Sequence, residues 1–170
     1  MTPRRGRVAV IGAGVAPLVA VLAGDGFAIT AIDISAKAIA LLADQLADLR
    51  GIDYVVADAR SVQLDHRVAT WHDRAVFHFL TPPADQLAHV ARATATVQPH
   101  GHLVLATFAP NGPTECSGLR VARHSVDSLQ ALFGATFDVV DSFEADHQTP
   151  SGGHQQFTYC TFRRSARPHP

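Results

Sequence analysis

A short apolar run that ends in two closely spaced glycines constrains the fold of this chain more than any other feature. Residues 8–11 read Val-Ala-Val-Ile and are followed directly by Gly12-Ala13-Gly14. An uninterrupted β-branched run is typical of a strand that is buried on both faces of a parallel sheet. Glycines at its end let the backbone turn sharply beside a ligand, where the next helix offers free N–H groups. The run therefore predicts the first strand and the ligand-facing turn of an α/β sheet.

The remainder of the chain alternates segments typical of strands with segments typical of helices. Strands are expected at 8–11, 27–34, 52–57, 68–71, 102–108, 137–143 and 156–162, and helices at 17–23, 36–46, 85–97 and 126–132. Such alternation implies right-handed crossovers with helices on both faces of the sheet. Because no helix separates the last two strands, they are expected to pair as an antiparallel hairpin. The pattern predicts an α/β fold: a Rossmann-like, doubly wound, mostly parallel seven-stranded sheet with a C-terminal antiparallel hairpin.

Local sequence signals predict further details of this fold. Ser35 is a favourable N-cap for an amphipathic helix, and Ser125 is one for the last helix. The buried side of the helix after Ser35 is expected to carry Ala38, Ile39, Leu41, Leu42 and Leu46. The tripeptide Pro99-His100-Gly101 predicts a turn before the strand at 102–108.

Length and charge limit the classes of protein that fit. The 170 residues suit one domain, expected over 1–164 with a flexible tail at 165–170. The net charge is −1, whereas nucleic-acid binding needs a concentrated positive field, so no nucleic acid is expected as a partner. No stretch reaches the roughly 18 apolar residues of a membrane span, and the first residues show no clear secretory signal. No membrane association is therefore expected.

Residue usage indicates a compartment and an origin. Two cysteines, Cys116 and Cys160, do not form a disulfide framework, and the chain is predicted to be cytoplasmic. Every basic residue except Lys37 is an arginine, and Ala, Val, Gly and Pro are abundant. This usage is typical of GC-rich coding and predicts a bacterial protein.

Acidic residues lie at the carboxyl ends of the second and third predicted strands. Asp33 lies 21 residues after Gly12 at the end of the second strand, and Asp58 follows the third. The carboxyl ends of parallel strands face one crevice, where α/β sheets bind their ligands. A carboxylate at Asp33 can accept hydrogen bonds from both hydroxyls of a ribose, and one at Asp58 from an adenine amino group. The simpler alternative is that these residues only form turns.

Two cofactor chemistries fit a glycine turn followed by such an acid. The dinucleotide fingerprint requires a third glycine, and Pro17 occupies the corresponding position. The lack of a separate catalytic domain and the predicted terminal hairpin also count against a nicotinamide-dependent oxidoreductase. That class of enzyme is therefore the weaker alternative.

The ordered set of motifs resembles the class I S-adenosylmethionine-dependent methyltransferases over nearly the whole chain. Residues 8–14 resemble their first motif, Asp33 matches the acid that holds the cofactor ribose, and Asp58-Ala59 is similar to the adenine-contacting motif. Residues 71–80 are similar to the segment after the fourth strand in small bacterial members related to the thiopurine methyltransferase group. Residues 99–103 are similar to the proline-glycine turn before the fifth strand.

The resemblance implies S-adenosylmethionine as cofactor, together with a set of contact residues. Those assigned to cofactor binding are Gly12, Ala13, Gly14, Asp33, Ile34, Asp58, Ala59 and His72. Family members also carry an acid just before the glycine turn, where Val10 and Ile11 stand here, so reduced affinity is expected. They carry an N-terminal helical lid as well, whereas seven residues precede the first strand. A truncated or mis-started chain is one interpretation, and a homodimer whose partner supplies the lid is another.

The candidate catalytic residues lie after the fourth predicted strand. Methyl transfer from a sulfonium depends on positioning and on exclusion of water more than on one dedicated group. If the strand ends near His72, Asp73 is expected to hold the methionine end of the cofactor. Arg74 is then expected to orient an anionic acceptor and His78 to take a proton. A packed helix histidine is the alternative for His78.

Three further features have a functional and a structural interpretation each. Phe77, Phe79 and Phe108 are candidates for an apolar acceptor wall, with plain core as the alternative. Cys116 is a candidate pocket residue, with a small buried hydrophobe as the alternative. The histidines show no complete ligand set, so no metal is expected.

The acceptor is left open between a small molecule and a protein side chain, because loops and added segments set specificity in this architecture. A non-catalytic cofactor-binding protein with the same fold is the remaining alternative.

Overall fold

The computed structural model describes residues 6–149 and 152–166, which form a seven-stranded sheet flanked by helices. The strands are β1 (Arg7–Ile11), β2 (Ala28–Asp33), β3 (Ile52–Val56), β4 (Val68–Arg74), β5 (Val97–Phe108), β6 (Glu115–Cys116), β7 (Leu119–Arg120), β8 (Phe137–Gln148) and β9 (His154–Arg164). The helices are α1 (Pro17–Gly24), α2 (Ala36–Gln45), α3 (Pro83–Thr96) and α4 (Val126–Phe133), with a 3₁₀ turn at Phe77–Phe79. None of the helices in the described part of the chain is long and apolar enough to cross a membrane.

The sheet has the strand order β3-β2-β1-β4-β5-β9-β8, while β6 and β7 form a separate small hairpin. Strands β1 to β5 pair in parallel, and β9 pairs antiparallel with both β5 and β8. The chain proceeds outward from β1 on one side and from β4 on the other, so a topological switch point lies between these two strands. The predicted doubly wound, mostly parallel seven-stranded fold with its C-terminal hairpin is confirmed.

Two apolar layers cover the faces of the sheet. One contains the fully buried Trp71 of β4 and Phe133 of α4. The other contains the buried Val10 of β1, Val19 of α1 and Leu42 of α2. Strands β1 and β2 are buried along almost their whole length, as expected for central strands that are covered from both sides.

Both predicted N-caps are confirmed. The Ser35 hydroxyl oxygen accepts a hydrogen bond from the Ala38 backbone N–H at 3.2 Å, at the start of α2. The Ser125 hydroxyl oxygen accepts one from the Ser128 N–H at 3.2 Å, at the start of α4. Each bond satisfies one of the backbone donors that the first helical turn leaves without a partner.

The predicted buried side of α2 is wrong at Leu41, which is 45% exposed. Ile39 and Leu42 are buried against the sheet, and Ala38 and Leu46 are half-buried. Successive helical residues are rotated by about 100°, so Leu41 and Leu42 cannot both face the sheet squarely. Of these two adjacent leucines, only Leu42 packs against the sheet.

The predicted turn at Pro99-His100-Gly101 lies instead within β5. The register between β4 and β5 shifts between Val68 and Thr70, and His100 has a φ of 62°. A Cβ on Gly101 would lie 2.8 Å from a backbone carbonyl oxygen of β4, so the two strands approach closely here. The proline-glycine signal therefore marks an irregularity inside a long strand rather than its beginning.

The predicted tail at 165–170 begins with an anchored residue. The Ser165 backbone N–H donates to the Thr136 carbonyl at 2.9 Å, and its hydroxyl donates to the Asp138 carboxylate at 2.8 Å. Residues 167–170 lie outside the described residues.

The adjacent leucines of α2 provide a matched test of this packing. Leu42→Ala should lower the free energy of unfolding by about 2 to 5 kcal/mol, because it removes a fully buried side chain from the core. Leu41→Ala should change it by less than about 0.5 kcal/mol, since Leu41 is exposed. Chemical denaturation followed by circular dichroism measures both, and equal losses in the two variants would contradict the observed orientation of α2.

Candidate functional site

A cleft of about 550 Å³ opens at the carboxyl ends of β1, β2 and β3. Five of the residues predicted to bind a cofactor line it: Gly12, Asp33, Ile34, Asp58 and Ala59. The other lining residues are Ile11, Ile32, Ala57, Arg60, Val76, Phe79, Leu80, Asp85 and Leu119. The lining is mostly apolar with a few polar groups, which is typical of a small-molecule site.

The Asp33 carboxylate is fixed by backbone donors from both neighbouring elements. Its Oδ2 accepts from the Gly14 N–H at 2.9 Å, and its Oδ1 accepts from the Ser35 N–H at 2.8 Å. An ionised carboxylate has about four acceptor positions. Each oxygen of Asp33 therefore retains capacity for a hydroxyl donor in the cleft.

The glycine turn has a geometry that side chains do not tolerate. Gly12 has a φ of +62°, and a Cβ built on it would lie 2.2 Å from Cγ2 of Val76. Gly14 has a φ of +50°, and its N–H is directed to Asp33. Ala13 is fully buried in the core below the turn. Ala13 and Gly14 thus lie outside the cleft lining and shape the turn, while Gly12 is exposed in the cleft.

Asp73 does not project toward the mouth of the cleft, so the predicted contact with the methionine end of a cofactor is wrong. Strand β4 continues to Arg74, which turns Asp73 onto the buried face, where it is 0% exposed. Its Oδ1 accepts from the N–H groups of Val76 and Phe77 at 3.1 and 3.2 Å. Its Oδ2 lies 3.2 Å from Nε2 of His89, which is also 0% exposed.

Burial decides the protonation of this pair. Desolvation raises the pKa of Asp73 to about 7, although the two backbone N–H donors act in the opposite direction. Desolvation lowers the pKa of His89 to about 4, and the imidazole is neutral at physiological pH. At physiological pH the Asp73 carboxyl is therefore partly protonated beside a neutral His89, and neither side chain is accessible to solvent.

The turn after β4, whose N–H groups donate to Asp73, is strained and forms part of the cleft wall. Ala75 has a φ of +66°. This left-handed conformation is unfavourable for any residue that carries a side chain. The next residue, Val76, lines the cleft and packs over Gly12. Asp73 accepts hydrogen bonds just beyond the strained residue and so stabilises the wall from behind.

His78 is also placed differently from the prediction. It is 0% exposed, and its ring centroid lies 4.5 Å from those of both Phe79 and Phe108. Desolvation lowers its pKa to about 4. A neutral ring inside an aromatic cluster does not reach the cleft, which corrects the predicted role of proton acceptor at the mouth.

His72 and Arg74 lie on the face of β4 opposite to Asp73, outside the lining of the cleft. His72 is half-buried, and desolvation lowers its pKa, with a contribution from the nearby Arg74. Arg74 is exposed, and its guanidinium carbon lies 5.3 Å from the ring centroid of Phe157. Arg74 is the last residue of β4, and its predicted role in orienting an acceptor stays a prediction.

The proposed aromatic wall divides into core and site. Phe77 and Phe108 are fully buried, whereas Phe79 lines the cleft. Cys116 is half-buried in the β6–β7 hairpin and packs against the cluster around Phe108. The same hairpin places Leu119 in the cleft.

Sequence reasoning missed Arg60, Asp85 and Leu119 as cleft residues. Arg60 stands two positions after Asp58, a spacing that favours a local ion pair, and this was the available signal. Asp85 and Leu119 carried none, because only the fold brings them to the carboxyl edge. Among the described residues, no group of three or more His, Cys, Asp or Glu side chains is arranged to hold a metal ion.

The chain belongs to the methyltransferase domain family, whose model matches residues 9–105. The matched segment runs from β1 through most of β5 and so includes the strand ends that form the cleft. None of the curated proteins matches the chain significantly.

Solved structures share the fold. A SAM-dependent methyltransferase from Methanosarcina mazei has a TM-score of 0.80 at 16% identity, covering 95% of this chain and 93% of that one. The 1,6-didemethyltoxoflavin-N1-methyltransferase of Burkholderia thailandensis, with its substrate and S-adenosylhomocysteine bound, has a TM-score of 0.76 at 23% identity, covering 95% and 72%. The glycopeptide N-methyltransferase MtfA, complexed with S-adenosylmethionine, has a TM-score of 0.69 at 16% identity, covering 95% and 88%. Family and neighbours are consistent with S-adenosylmethionine as the cofactor.

Replacement of Gly12 tests the geometry of the turn. Gly12→Ala places a side chain at positive φ and against Val76, so the free energy of unfolding should fall by roughly 1 to 3 kcal/mol. Gly24→Ala is the control, because nothing lies within 4 Å of a Cβ there and alanine favours the helix. Chemical denaturation measures both, and equal stability of the two variants would contradict a strained turn at Gly12.

Replacement of Asp73 tests its protonation. Asp73→Asn keeps the acceptor for the two backbone N–H groups but does not titrate. A carboxyl whose folded pKa is raised to about 7 contributes stability below its unfolded pKa, and loses it as pH rises through 7. The stability of the variant relative to wild type should therefore increase from about pH 4 to pH 7 and level off above pH 8, with a slope approaching about 1.4 kcal/mol per pH unit within that range.

Denaturation at several pH values measures this difference. His89 is present in both proteins, so its own opposite dependence below its unfolded pKa largely cancels. A stability difference that is constant with pH would show that Asp73 is ionised throughout.

Proposed function

We propose that this protein is an S-adenosylmethionine-dependent methyltransferase that acts on a small-molecule acceptor. The observation that carries the proposal is the fixed Asp33 carboxylate beside the exposed Gly12 backbone in one cleft at the carboxyl ends of β1 to β3. This arrangement fits a nucleoside with a vicinal diol, because both carboxylate oxygens retain acceptor capacity. Membership of the methyltransferase domain family supports the same chemistry.

The residues of the cleft suit different parts of the cofactor. Asp33 would hold the ribose hydroxyls, and Ile34, which is 72% exposed in the cleft, offers apolar surface to the base. Gly12 would let the methionine portion lie close to the backbone, and Asp58 and Ala59 would border the base. When bound, S-adenosylmethionine supplies an activated methyl group and its own leaving group.

The contribution of the protein to transfer is positioning and exclusion of water. Phe79, Leu80 and Leu119 form an apolar side of the cleft, where they would shield the reacting centre. His78 has a pKa of about 4, so it is too weakly basic and too buried to accept a proton directly. The proton that the acceptor releases on methylation is therefore assigned to solvent water.

The acceptor is expected on the side of the cleft formed by the β6–β7 hairpin. Leu119 belongs to that hairpin, and Arg74 lies exposed at the carboxyl end of the neighbouring β4. Among the similar structures, the toxoflavin enzyme is named for a small-molecule substrate. The exposed guanidinium of Arg74 would favour an acceptor with an anionic group.

One observation favours a second candidate function, cofactor binding without turnover. The acids that line the cleft are Asp33, Asp58 and Asp85, and Ile11 stands directly before the glycine turn. The amino group of the cofactor therefore lacks the side-chain carboxylate that the family resemblance leads one to expect there. Turnover with a suitable acceptor separates the two candidates.

Calorimetric titration of the protein with S-adenosylhomocysteine tests the proposal. Binding in the micromolar range, about −8 kcal/mol, is expected for wild type, with none for NADH. Asp33→Asn should weaken binding at least about tenfold, because a charged acceptor of the ribose hydroxyls is lost. Asp44→Asn, which alters an exposed carboxylate on α2, should bind as wild type does.

Two results would contradict the proposal. Wild type that binds NADH in preference to S-adenosylhomocysteine would favour the oxidoreductase alternative. Wild-type affinity in Asp33→Asn would show that the ribose does not lie on Asp33.

A further inference from the structure

Arg60 forms a polar cluster with Asp58 and Asp85 at one end of the cleft. Its Nε and Nη2 pair with the Asp58 carboxylate at 3.0 and 2.5 Å, and its Nη1 donates to Asp85 at 2.7 Å. All three side chains line the cleft and are between 26% and 40% exposed. Hydrogen bonding by Arg60 also lowers the pKa of Asp58. The cluster thus places fixed charges inside the cleft.

This cluster joins two walls of the cleft. Asp58 follows β3, whereas Asp85 lies in the first turn of α3, beyond β4 and the 3₁₀ turn. Gly12, Asp33 and Asp58 lie at the carboxyl ends of three strands that are neighbours in the sheet, so they form a row along its carboxyl edge. With the ribose on Asp33 and the methionine portion near Gly12, the base falls at the Asp58 end.

The cluster retains both donors and an acceptor for a ligand. A guanidinium has five N–H donors, and the two carboxylates engage three of them, leaving two on its terminal nitrogens. The single Nε–H is shared between Oδ1 and Oδ2 of Asp58, at 3.0 Å from each. Oδ1 also accepts from the Arg60 backbone N–H at 2.8 Å and Oδ2 from Nη2, so three N–H groups engage a carboxylate that has about four acceptor positions. Adenine presents an amino donor beside its N1 acceptor. The Asp58 carboxylate as acceptor and the Arg60 guanidinium as donor, side by side, are complementary to that edge.

We propose that Arg60 is a specificity-determining residue that recognises the adenine edge of the cofactor, held in place by Asp58 and Asp85. This assignment rests on the function proposed above. A 6-oxopurine has a carbonyl in place of the amino group and an N1–H in place of the acceptor, so both polarities are reversed. In the same pose, Asp58 faces an acceptor and Arg60 faces a donor. Polar groups left unpaired in a binding site weaken binding strongly.

S-adenosylhomocysteine and its deaminated counterpart, S-inosylhomocysteine, differ only at that edge and therefore test the assignment. Calorimetry gives the dissociation constant of each ligand for wild type, Arg60→Gln, Asp85→Asn and Arg92→Gln. Arg92 is the matched control, because it is a half-buried arginine that lines a separate pocket.

Wild type should prefer S-adenosylhomocysteine at least about tenfold, as one charged hydrogen bond allows. Arg60→Gln should bind it about tenfold more weakly and lose most of the preference. Asp85→Asn keeps the Asp58 pair, so a smaller loss of preference is expected. Arg92→Gln should keep the affinity and the preference of wild type.

The outcomes separate this assignment from the proposed function. Wild type that binds neither ligand overturns both. Wild type that binds both ligands equally, or folded Arg60→Gln that keeps the wild-type preference, overturns only the role of Arg60. If thermal melting shows that Arg60→Gln does not fold, Asp85→Asn carries the test, and a wild-type preference there overturns the assignment.

Discussion

The carboxylate of Asp33 ties together the ends of two adjacent parallel strands, and the rest of the cleft is arranged around it. One oxygen accepts from the turn after β1 and the other from the start of α2. These bonds hold the glycine turn in its left-handed conformation and fix the entry into α2, where Ser35 provides the N-cap. Because the donors belong to the backbone, the carboxylate is oriented before any ligand binds.

The same device recurs at two further strand ends. Asp58 accepts from the Arg60 backbone N–H at 2.8 Å, and Asp73 accepts from two N–H groups of the turn after β4. In each case an aspartate at a strand end accepts hydrogen bonds from backbone N–H groups of the following turn, which would otherwise need water as their partner. The consequences differ with the face of the sheet. Asp33 and Asp58 face the cleft and can serve a ligand, whereas Asp73 is buried and supports the wall.

The sequence predicted the sheet well because its signals are local. Buried β-branched runs define β1 and β2, and a carboxylate directly after such a run must lie at the carboxyl edge. For this reason Asp33 and Asp58 were placed correctly. Periodicity alone does not determine which of two adjacent apolar residues on a helix is buried; packing against the sheet does. Leu41 and Leu42 compete for one position on α2, and only the sheet selects between them.

The errors at Asp73 and His78 have different causes. His78 lies in the 3₁₀ turn after β4, where its ring packs against Phe79 and Phe108. The error at Asp73 comes from the length of the strand. The fourth strand extends two residues beyond its predicted end near His72, and each added strand residue reverses the face to which a side chain points. Arg60 and Leu119 escaped prediction for another reason. The spacing of Asp58 and Arg60 was a local signal for their ion pair. The contacts that Arg60 makes with Asp85 of α3, and Leu119 with the cleft at β1 to β3, join residues that are distant in sequence, and no local pattern reports them.

A crystal structure of the protein with S-adenosylhomocysteine tests the central claim most directly. The ribose hydroxyls are expected to donate to the Asp33 carboxylate, with the methionine portion beside Gly12 and the glycine turn unchanged. A ligand bound elsewhere, or one in the cleft whose ribose makes no contact with Asp33, would contradict this account.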